Sequence, residues 1–272
     1  MPPTKPTTKP VLQPGKVNLP LPTVKTTAPR RFTSFVYGYS GAGKSYMLRS
    51  LLSDSALFPA LVLVCDSGHA TYIDLSNDDT FQIVETPTIE NVIEIINWLG
   101  TNSHPFKTLA IDNVTELHRT ALNEAASRRV NDKGRGTTYR LEQSDYGEAR
   151  NQILSSLATV AMQMPRLNFI TTALAYDVAD EMTGLSYVQP NLAGKLATEI
   201  PGFFDICGYL YTKSPTASER RQAEREGKKL QSHRILVTAQ TQTIVQARNR
   251  GGKLNEQVID PTWPKIYKLF TS

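Results

Sequence analysis

The chain has 272 residues, of which 40% are hydrophobic and 20% are charged, so it is long and apolar enough to bury one sizeable α/β core. The net charge is +5, but residues 1–31 contribute six cations and no acid, which leaves about −1 for residues 32–272. This balance excludes a generally basic body, so any contact with nucleic acid has to come from local patches.

The cysteines and the apolar runs indicate the compartment. Cys65 and Cys207 lie in apolar runs typical of strands, which predicts core residues in a reducing environment rather than a disulfide or a metal site. No apolar run approaches the length of a membrane span, and the N-terminus has no apolar signal segment. We therefore expect a cytoplasmic protein without membrane contacts.

The first part of the chain differs in composition from the rest. Residues 1–31 hold eight of the seventeen prolines, together with many threonines and lysines. Such a segment cannot bury enough apolar surface to fold, which predicts a disordered, partly polyproline tail. One folded domain is then expected over residues 32–272.

A glycine-rich stretch at residues 38–45, GYSGAGKS, fits the P-loop pattern G-x-x-x-x-G-K-[ST]. A β-branched and aromatic run precedes it at 32–37, and a run typical of a helix follows at 45–52. Backbone N–H groups of such a loop surround phosphate oxygens, and the helix N-terminus adds its positive dipole end. Lys44 is expected at the β- and γ-phosphates of ATP, and the Ser45 hydroxyl at Mg²⁺. The predicted nucleotide-binding residues are Gly38, Tyr39, Ser40, Gly41, Ala42, Gly43, Lys44, Ser45 and Tyr46.

Two further predicted strands lead into carboxylates. The apolar run 60–65 is followed by Asp66, and the run 106–112 ends in Asp112. Ligands of doubly wound sheets lie at the carboxyl ends of the strands, so Asp66 and His69 are expected to face the nucleotide. Asp112 has the Walker B pattern and is expected to hold Mg²⁺, directly or through water.

Three other polar residues are candidates for the same edge of the sheet. Glu116 lies one helical turn after Asp112, where it either orients a catalytic water or simply favours the helix dipole. Thr171 or Thr172, at the end of a predicted strand, is either a γ-phosphate sensor or a threonine that suits a strand.

Residues 128–145 contain five cations, two glycines and a tyrosine in a stretch without apolar periodicity. This composition predicts a mobile basic loop that neutralises phosphates and stacks a base, with a solvated surface loop as the alternative. The candidate DNA-binding residues are Arg128, Arg129, Lys133, Arg135, Tyr139 and Arg140.

The remaining elements follow from caps and periodicity. They are a helix opened by Thr86 and Pro87, a helix at 144–164, strands at 167–172 and 203–212, a loop at 175–194, an exposed hairpin or short helix within 214–232, an antiparallel pair of 233–239 with 243–247, and a closing strand or turn at 264–270.

The order of these parts resembles the RecA core, which is shared by recombinases and DnaB-type hexameric helicases. The resemblance implies one α/β domain with a mostly parallel twisted sheet, helices on both faces and antiparallel strands at the C-terminal edge. Residues 128–145 and 175–194 match, by position, the two DNA-binding loops of that core. Gly68 stands where the RecA strand ends in its catalytic glutamate, which implies slow hydrolysis unless Asp66 or Glu116 substitutes.

The stretch Arg248-Asn249-Arg250-Gly251 is similar to the Lys-x-Arg-Asn-Gly turn by which such subunits reach a neighbour's ATP. The resemblance therefore implies that Arg248 or Arg250 acts in trans on a γ-phosphate. The alternative role is protection of a sheet edge by charge.

Three clusters resemble phage-encoded minimal RecA-like ATPases of an AAA-labelled family: residues 111–117, Tyr146-Gly147, and 190–195 followed by 201–205. Members of that family act in single-strand annealing recombination with a single-strand binding protein as partner. The resemblance implies an ATPase that uses ATP and Mg²⁺, binds single-stranded DNA in a bacterial host cytoplasm, and assembles as a ring or filament. The alternatives are an ATP-switched DNA-binding module with negligible turnover and a DnaB-like helicase core.

Overall fold

A sheet with the P-loop segment near its centre organises the chain. The computed structural model describes residues 31–66, 68–75, 80–86, 88–133, 140–181, 184–227 and 231–272. Most of the predicted tail, residues 1–30, lies outside the described residues, and so do Pro87, Arg135, Tyr139 and the side chains of His69 and Lys133. The strands are β1 (Thr33–Gly38), β2 (Ala60–Val64), β3 (Phe81–Glu85), β4 (Thr108–Asp112), β5 (Asn168–Ala179), β6 (Ser186–Pro190), β7 (Ile206–Lys213), β8 (His233–Val237), β9 (Arg248–Asn249) and β10 (Gln257–Ile259).

The helices alternate with the first strands of the sheet. They are α1 (Lys44–Leu48), α2 (Ile89–Thr101), α3 (Val114–Lys133), α4 (Gln143–Gln163), α5 (Leu196–Glu199), α6 (Ala217–Arg225) and α7 (Trp263–Thr271), with short 3₁₀ segments at Arg49–Ser53, Gly68–Leu75 and Ile200–Phe203. None of the helices in the described ranges combines the length and apolarity that crossing a membrane requires.

The strand order is β10-β8-β7-β1-β5-β4-β2-β3, with β6 paired to β5 and β9 paired to β7. The six strands from β7 to β3 in this order are mutually parallel. Strands β8 and β9 pair antiparallel with β7, and β10 pairs antiparallel with β8. The predicted fold class, a mostly parallel sheet with antiparallel strands at its C-terminal edge, is confirmed.

Two apolar cores flank the sheet because side chains alternate along each strand. Phe35 and Tyr37 of β1 face the core built on α2, α3 and α4. Val36 faces the second core, which includes residues of α1 and α7. Both cysteines are buried and free of disulfides, and burial raises the pKa of each thiol to about 12. Helices on both faces and buried core cysteines are confirmed.

The start of α2 differs from the prediction. Thr88, not Thr86, caps this helix, and its side chain accepts a hydrogen bond from the Asn91 N–H. Thr86 is buried and its N–H donates to the Val64 carbonyl, so it continues the pairing of β3 with β2. The helix therefore begins two residues later than the Thr-Pro pair indicates.

The C-terminal predictions are corrected in two places. Strand β8 pairs with β7 and β10, and not with residues 243–247, of which only Ile244 forms an isolated bridge, to Val188. Residues 264–270 belong to helix α7 rather than to a strand or turn. Its aromatic residues surround the Phe32 ring, with centroids 5.7 Å away for Trp263 and 5.7 Å away for Tyr267.

The segment 175–194 is also more regular than the predicted loop. Strand β5 continues to Ala179 and pairs antiparallel with β6, from Ala175 opposite Pro190 to Ala179 opposite Ser186. This hairpin extends beyond the parallel part of the sheet, since β1 pairs with β5 only as far as Leu174.

Candidate nucleotide-binding site

The P-loop connects the central strand β1 to helix α1. Gly41 and Gly43 have φ angles of 78° and 94°, a region that residues with a side chain rarely adopt. The Ala42 N–H donates to the Tyr39 carbonyl at 3.2 Å, and the Met47 N–H donates to the Gly43 carbonyl at 2.9 Å. The strand, the glycine-rich loop and the helix thus follow one another in the order that phosphate binding requires.

Lys44 is buried in this loop. Its side chain folds back so that Nζ donates to the carbonyl oxygens of Gly38 at 2.8 Å and Tyr39 at 3.0 Å. Burial lowers the pKa of Lys44, and the charges of Asp112 and Asp66 partly oppose that shift. The ammonium group is therefore held at the loop, with two carboxylates close enough to act on it.

Asp112 ends β4 beside two hydroxyl donors. Its Oδ2 accepts a hydrogen bond of 2.7 Å from Tyr72 Oη, and its Oδ1 accepts one from Thr172 Oγ1. Burial, aided by the charge of Asp112, raises the pKa of Tyr72, so the phenol keeps its proton, and Ser45 lies close enough to oppose part of that shift. Ser45 and Asp112, predicted as Mg²⁺ ligands, therefore both lie near the Tyr72 hydroxyl, and their oxygens suit this ion.

Tyr72 is not among the predicted site residues. The only signal for it is an aromatic residue in the polar segment after β2, and its partners lie far along the chain. Of the two candidate sensors, Thr172 contacts Asp112, whereas the Thr171 hydroxyl is buried with no hydrogen bond to any described residue.

Asp66 bridges the ends of β2 and β4. Its Oδ1 accepts from the Gly68 N–H and its Oδ2 accepts from Asn113 Nδ2, both at 2.6 Å. Burial, aided by the charge of Asp112, raises the pKa of Asp66. A Cβ atom at Gly68 would lie 2.6 Å from Asp66 Oδ1, so a larger residue there requires Asp66 to move.

Glu116 lies in the first turn of α3, as predicted. Its backbone N–H donates to Asn113 Oδ1 at 3.0 Å, and its carboxylate pairs with Arg119 at 2.9 Å. These contacts are those of an acid in a helix's first turn, and they engage the carboxylate that would orient a water.

The prediction of a basic loop at residues 128–145 is corrected in part. Helix α3 extends to Lys133, so Arg128 and Arg129 lie on a helix and not in a loop. Arg128 pairs with Glu90 and with Glu148, the latter at 2.9 Å. Arg129 pairs with Glu142 and with Asp145, each at 2.8 Å. These two cations join α3 to α2 and α4, while Arg140 is exposed.

The two C-terminal arginines lie far from their own P-loop. Strand β9 pairs with the first residues of β7, whereas the P-loop follows the other end of the neighbouring β1. Arg248 donates to the carbonyls of Pro201 and Phe204, the latter at 2.9 Å. Arg250 donates to the Gly202 carbonyl at 2.7 Å, and half of its side chain is exposed.

A family model described as an AAA domain matches residues 30–251. The chain belongs to this family. With its P-loop between β1 and α1, the chain is a P-loop ATPase. A comparison with curated proteins finds no match.

Several solved structures are similar over most of the chain. The RadB recombinase is 12% identical with a TM-score of 0.44, covering 85% of this chain and 87% of that one. The flagellar accessory protein FlaH from Methanocaldococcus jannaschii is 7% identical with a TM-score of 0.45, covering 85% of each chain. The genome packaging NTPase of Sulfolobus turreted icosahedral virus 2, in complex with ATP-γS, is 10% identical with a TM-score of 0.39, covering 85% of this chain and 98% of that one.

Tyr72→Phe tests the hydroxyl contact with Asp112. We expect the free energy of unfolding to fall by about 1.5–3 kcal/mol, because a buried hydrogen bond to a charged group is lost while the ring stays. Urea denaturation measures this change, with Tyr146→Phe, at an exposed tyrosine, as the control. Equal unfolding midpoints for the two variants would contradict the contact.

Proposed function

We propose that this ATPase binds ATP and Mg²⁺ at the P-loop and couples the nucleotide to single-stranded DNA in recombination or strand annealing. Lys44 binds the β- and γ-phosphates, and Ser45 and Asp112 hold Mg²⁺. The observation that carries the nucleotide site is the buried Lys44 within the glycine-rich loop after β1, with Asp112 at the end of β4 close enough for its charge to act on Lys44.

A groove of about 470 Å³ supports the DNA part of the proposal. It lies between α3, the start of α4 and residues 193–196, next to the segment predicted as the first DNA-binding loop. Tyr146 and Lys195 line it and are exposed. An exposed aromatic ring next to a cation is suited to stacking a base and neutralising its phosphate. His118 also lines the groove, and burial lowers its pKa to about 4, so it adds no charge near neutral pH.

The DNA proposal is tested by removing Lys133, Arg135 and Arg140 together as alanines. Arg128 and Arg129 are left in place because their ion pairs join helices. We expect weaker binding of single-stranded DNA and a salt slope lowered by about 2, since each single-strand phosphate contact contributes about 0.7. Fluorescence anisotropy at several salt concentrations measures both quantities.

The matched control removes the same number of charges from an exposed helix. Arg220, Arg221 and Arg225 of α6 are all exposed, and their replacement by alanine changes the net charge equally. If both triple variants keep the wild-type salt slope, the basic segment is only a solvated surface.

Slow turnover in the absence of DNA is expected. Both carboxylates that would replace the missing glutamate are already engaged, Asp66 with Asn113 and Glu116 with Arg119. This observation favours the nucleotide-switched module as the second candidate function. ATP turnover measured with and without single-stranded DNA separates the two, because the recombination ATPase is stimulated and the switch is not.

Assembly as a ring or filament is part of the proposal. Arg250 lies at the opposite end of the parallel strands from its own P-loop, so any contact that it makes with ATP is with the ATP of a neighbouring subunit. A single-strand binding protein is the expected partner in the annealing reaction.

A further inference from the structure

Strand β8 brings an arginine to the P-loop that the sequence analysis did not single out. β8 runs antiparallel to β7, with Arg234 opposite Thr212, so its first residues lie at the carboxyl end of the parallel strands. The nearby Leu210 carbonyl would lie 2.3 Å from a Cβ atom on Gly38, the last residue of β1 and the first of the P-loop. The backbone of Arg234 is fixed by Asp260, which accepts from its N–H and donates to its carbonyl.

The side chain of Arg234 covers the turn at which α1 begins. A Cβ atom on Gly43 would lie 2.5 Å from Arg234 Nε and 3.2 Å from Cζ. Cζ also lies 4.4 Å from the centre of the Tyr46 ring, over its face. Tyr46 itself is 57% exposed, so the pair forms an open surface beside the loop.

Arg234 differs from the other partly buried arginines of the described chain. Each of those six donates to a carboxylate or a backbone carbonyl: Arg31, Arg49, Arg128, Arg129, Arg150 and Arg248. The guanidinium of Arg234 makes no hydrogen bond or ion pair with any residue that the structure describes, and it lies against Gly43 and the Tyr46 ring. A cation that is partly withdrawn from water without an anion is suited to receive one.

The position of Arg234 selects the part of the nucleotide that it reaches. β1 lies between the two sides of the site: β8 is two strands away on one side, and β4 with Asp112 is two strands away on the other. Asp112 marks the side of Mg²⁺ and the γ-phosphate. The opposite side, at Gly43 and Tyr46, is that of the α- and β-phosphates, which the backbone of a P-loop surrounds.

We propose that Arg234 is a nucleotide-binding residue that acts within its own subunit. Its planar fork binds oxygens of the α- and β-phosphates, a geometry for which guanidinium is better suited than ammonium. The exposed Tyr46 ring holds the guanidinium in place and offers its surface to the sugar and base. This inference rests on the nucleotide site proposed above.

The test is the affinity of the full-length protein for ADP and for ATP, measured by calorimetry. We expect Arg234→Ala to lower the affinity for both nucleotides by about tenfold or more, because a hydrogen bond to a charged group is lost. Arg234→Lys should recover part of the loss, since it keeps the charge without the fork. Tyr46→Ala should lower the affinity for both nucleotides less than Arg234→Ala does. Arg220→Ala, at an exposed residue of α6, is the control and should leave both affinities unchanged.

The outcomes separate this inference from the nucleotide site itself. If Lys44→Ala loses ADP while both Arg234 variants keep the wild-type affinity, the P-loop assignment stands and the role of Arg234 is wrong. If Arg234→Ala lowers the affinity for ATP but leaves the affinity for ADP unchanged, the residue acts on the γ-phosphate and the assignment to the α- and β-phosphates is overturned. If the wild type binds neither nucleotide, the proposed site fails and the inference fails with it.

Discussion

Lys44→Ala is expected to abolish ATP binding while the domain stays folded. The substitution removes the ammonium group that should reach the β- and γ-phosphates, and the loop N–H groups alone do not replace that charge. Calorimetric titration with ATP measures the loss, and circular dichroism reports the fold.

Because Lys44 is buried, its replacement is also expected to lower the stability of the domain. The motif leads one to expect an exposed cation, but Lys44 is only 8% exposed and donates to the Gly38 and Tyr39 carbonyls. The alanine variant therefore loses two hydrogen bonds within the loop, and we expect a lowered unfolding midpoint. Lys44→Met, which keeps more of the buried side-chain volume, is the matched variant. Wild-type ATP affinity in either variant, once shown to be folded, would refute the P-loop assignment.

The parts of the site that could be predicted are those encoded by local sequence patterns. The P-loop is a contiguous motif, and its strand, loop and helix form where the sequence places them because each depends on near neighbours. The Walker B position of Asp112 follows from one apolar strand and the rule that ligands lie at strand ends. These parts needed no knowledge of long-range pairing.

The contacts that complete the site depend on distant parts of the chain. Tyr72 reaches Asp112 across 40 residues, and Thr172 reaches it across 60. Arg234 reaches Gly43 only because β8 lies beside β7. No local periodicity encodes these pairings, so the sequence analysis could propose the ligands of a nucleotide but not their neighbours.

The wrong predictions for the end of α3 and for α7 have related causes. The last turns of α3 lack apolar periodicity because they are joined to α2 and α4 by ion pairs of Arg128 and Arg129, which the sequence presents as a basic loop. The apolar and aromatic residues of 263–270 recur at helical spacing and bury Trp263 and Ile266, a signal that could have identified α7.

Replacement of Arg250 tests the proposed assembly of subunits. It lies beyond the reach of its own P-loop, and half of its side chain is exposed. Under the proposed function it enters a neighbour's site and stabilises charge that develops during phosphoryl transfer. Arg250→Ala should then lower ATP turnover by roughly 10³-fold or more, as loss of an arginine finger does, while ATP affinity changes little.

Arg248 is expected to behave differently. It is half-buried and its guanidinium donates to two carbonyls of the turn before β7, so its replacement should lower stability. Arg225→Ala, at an exposed residue of α6, is the control for loss of one surface charge and should leave turnover unchanged.

The decisive experiment mixes two inactive variants, Arg250→Ala and Lys44→Ala. An interface that joins the P-loop of an Arg250→Ala subunit to the Arg250 of a Lys44→Ala subunit has both groups intact. Turnover should therefore reappear on mixing and reach its maximum at equal amounts of the two variants. Co-purification through a tag on one variant shows whether mixed assemblies form. If they form and no mixing ratio restores turnover, Arg250 does not act in trans, and the two arginines protect a sheet edge instead.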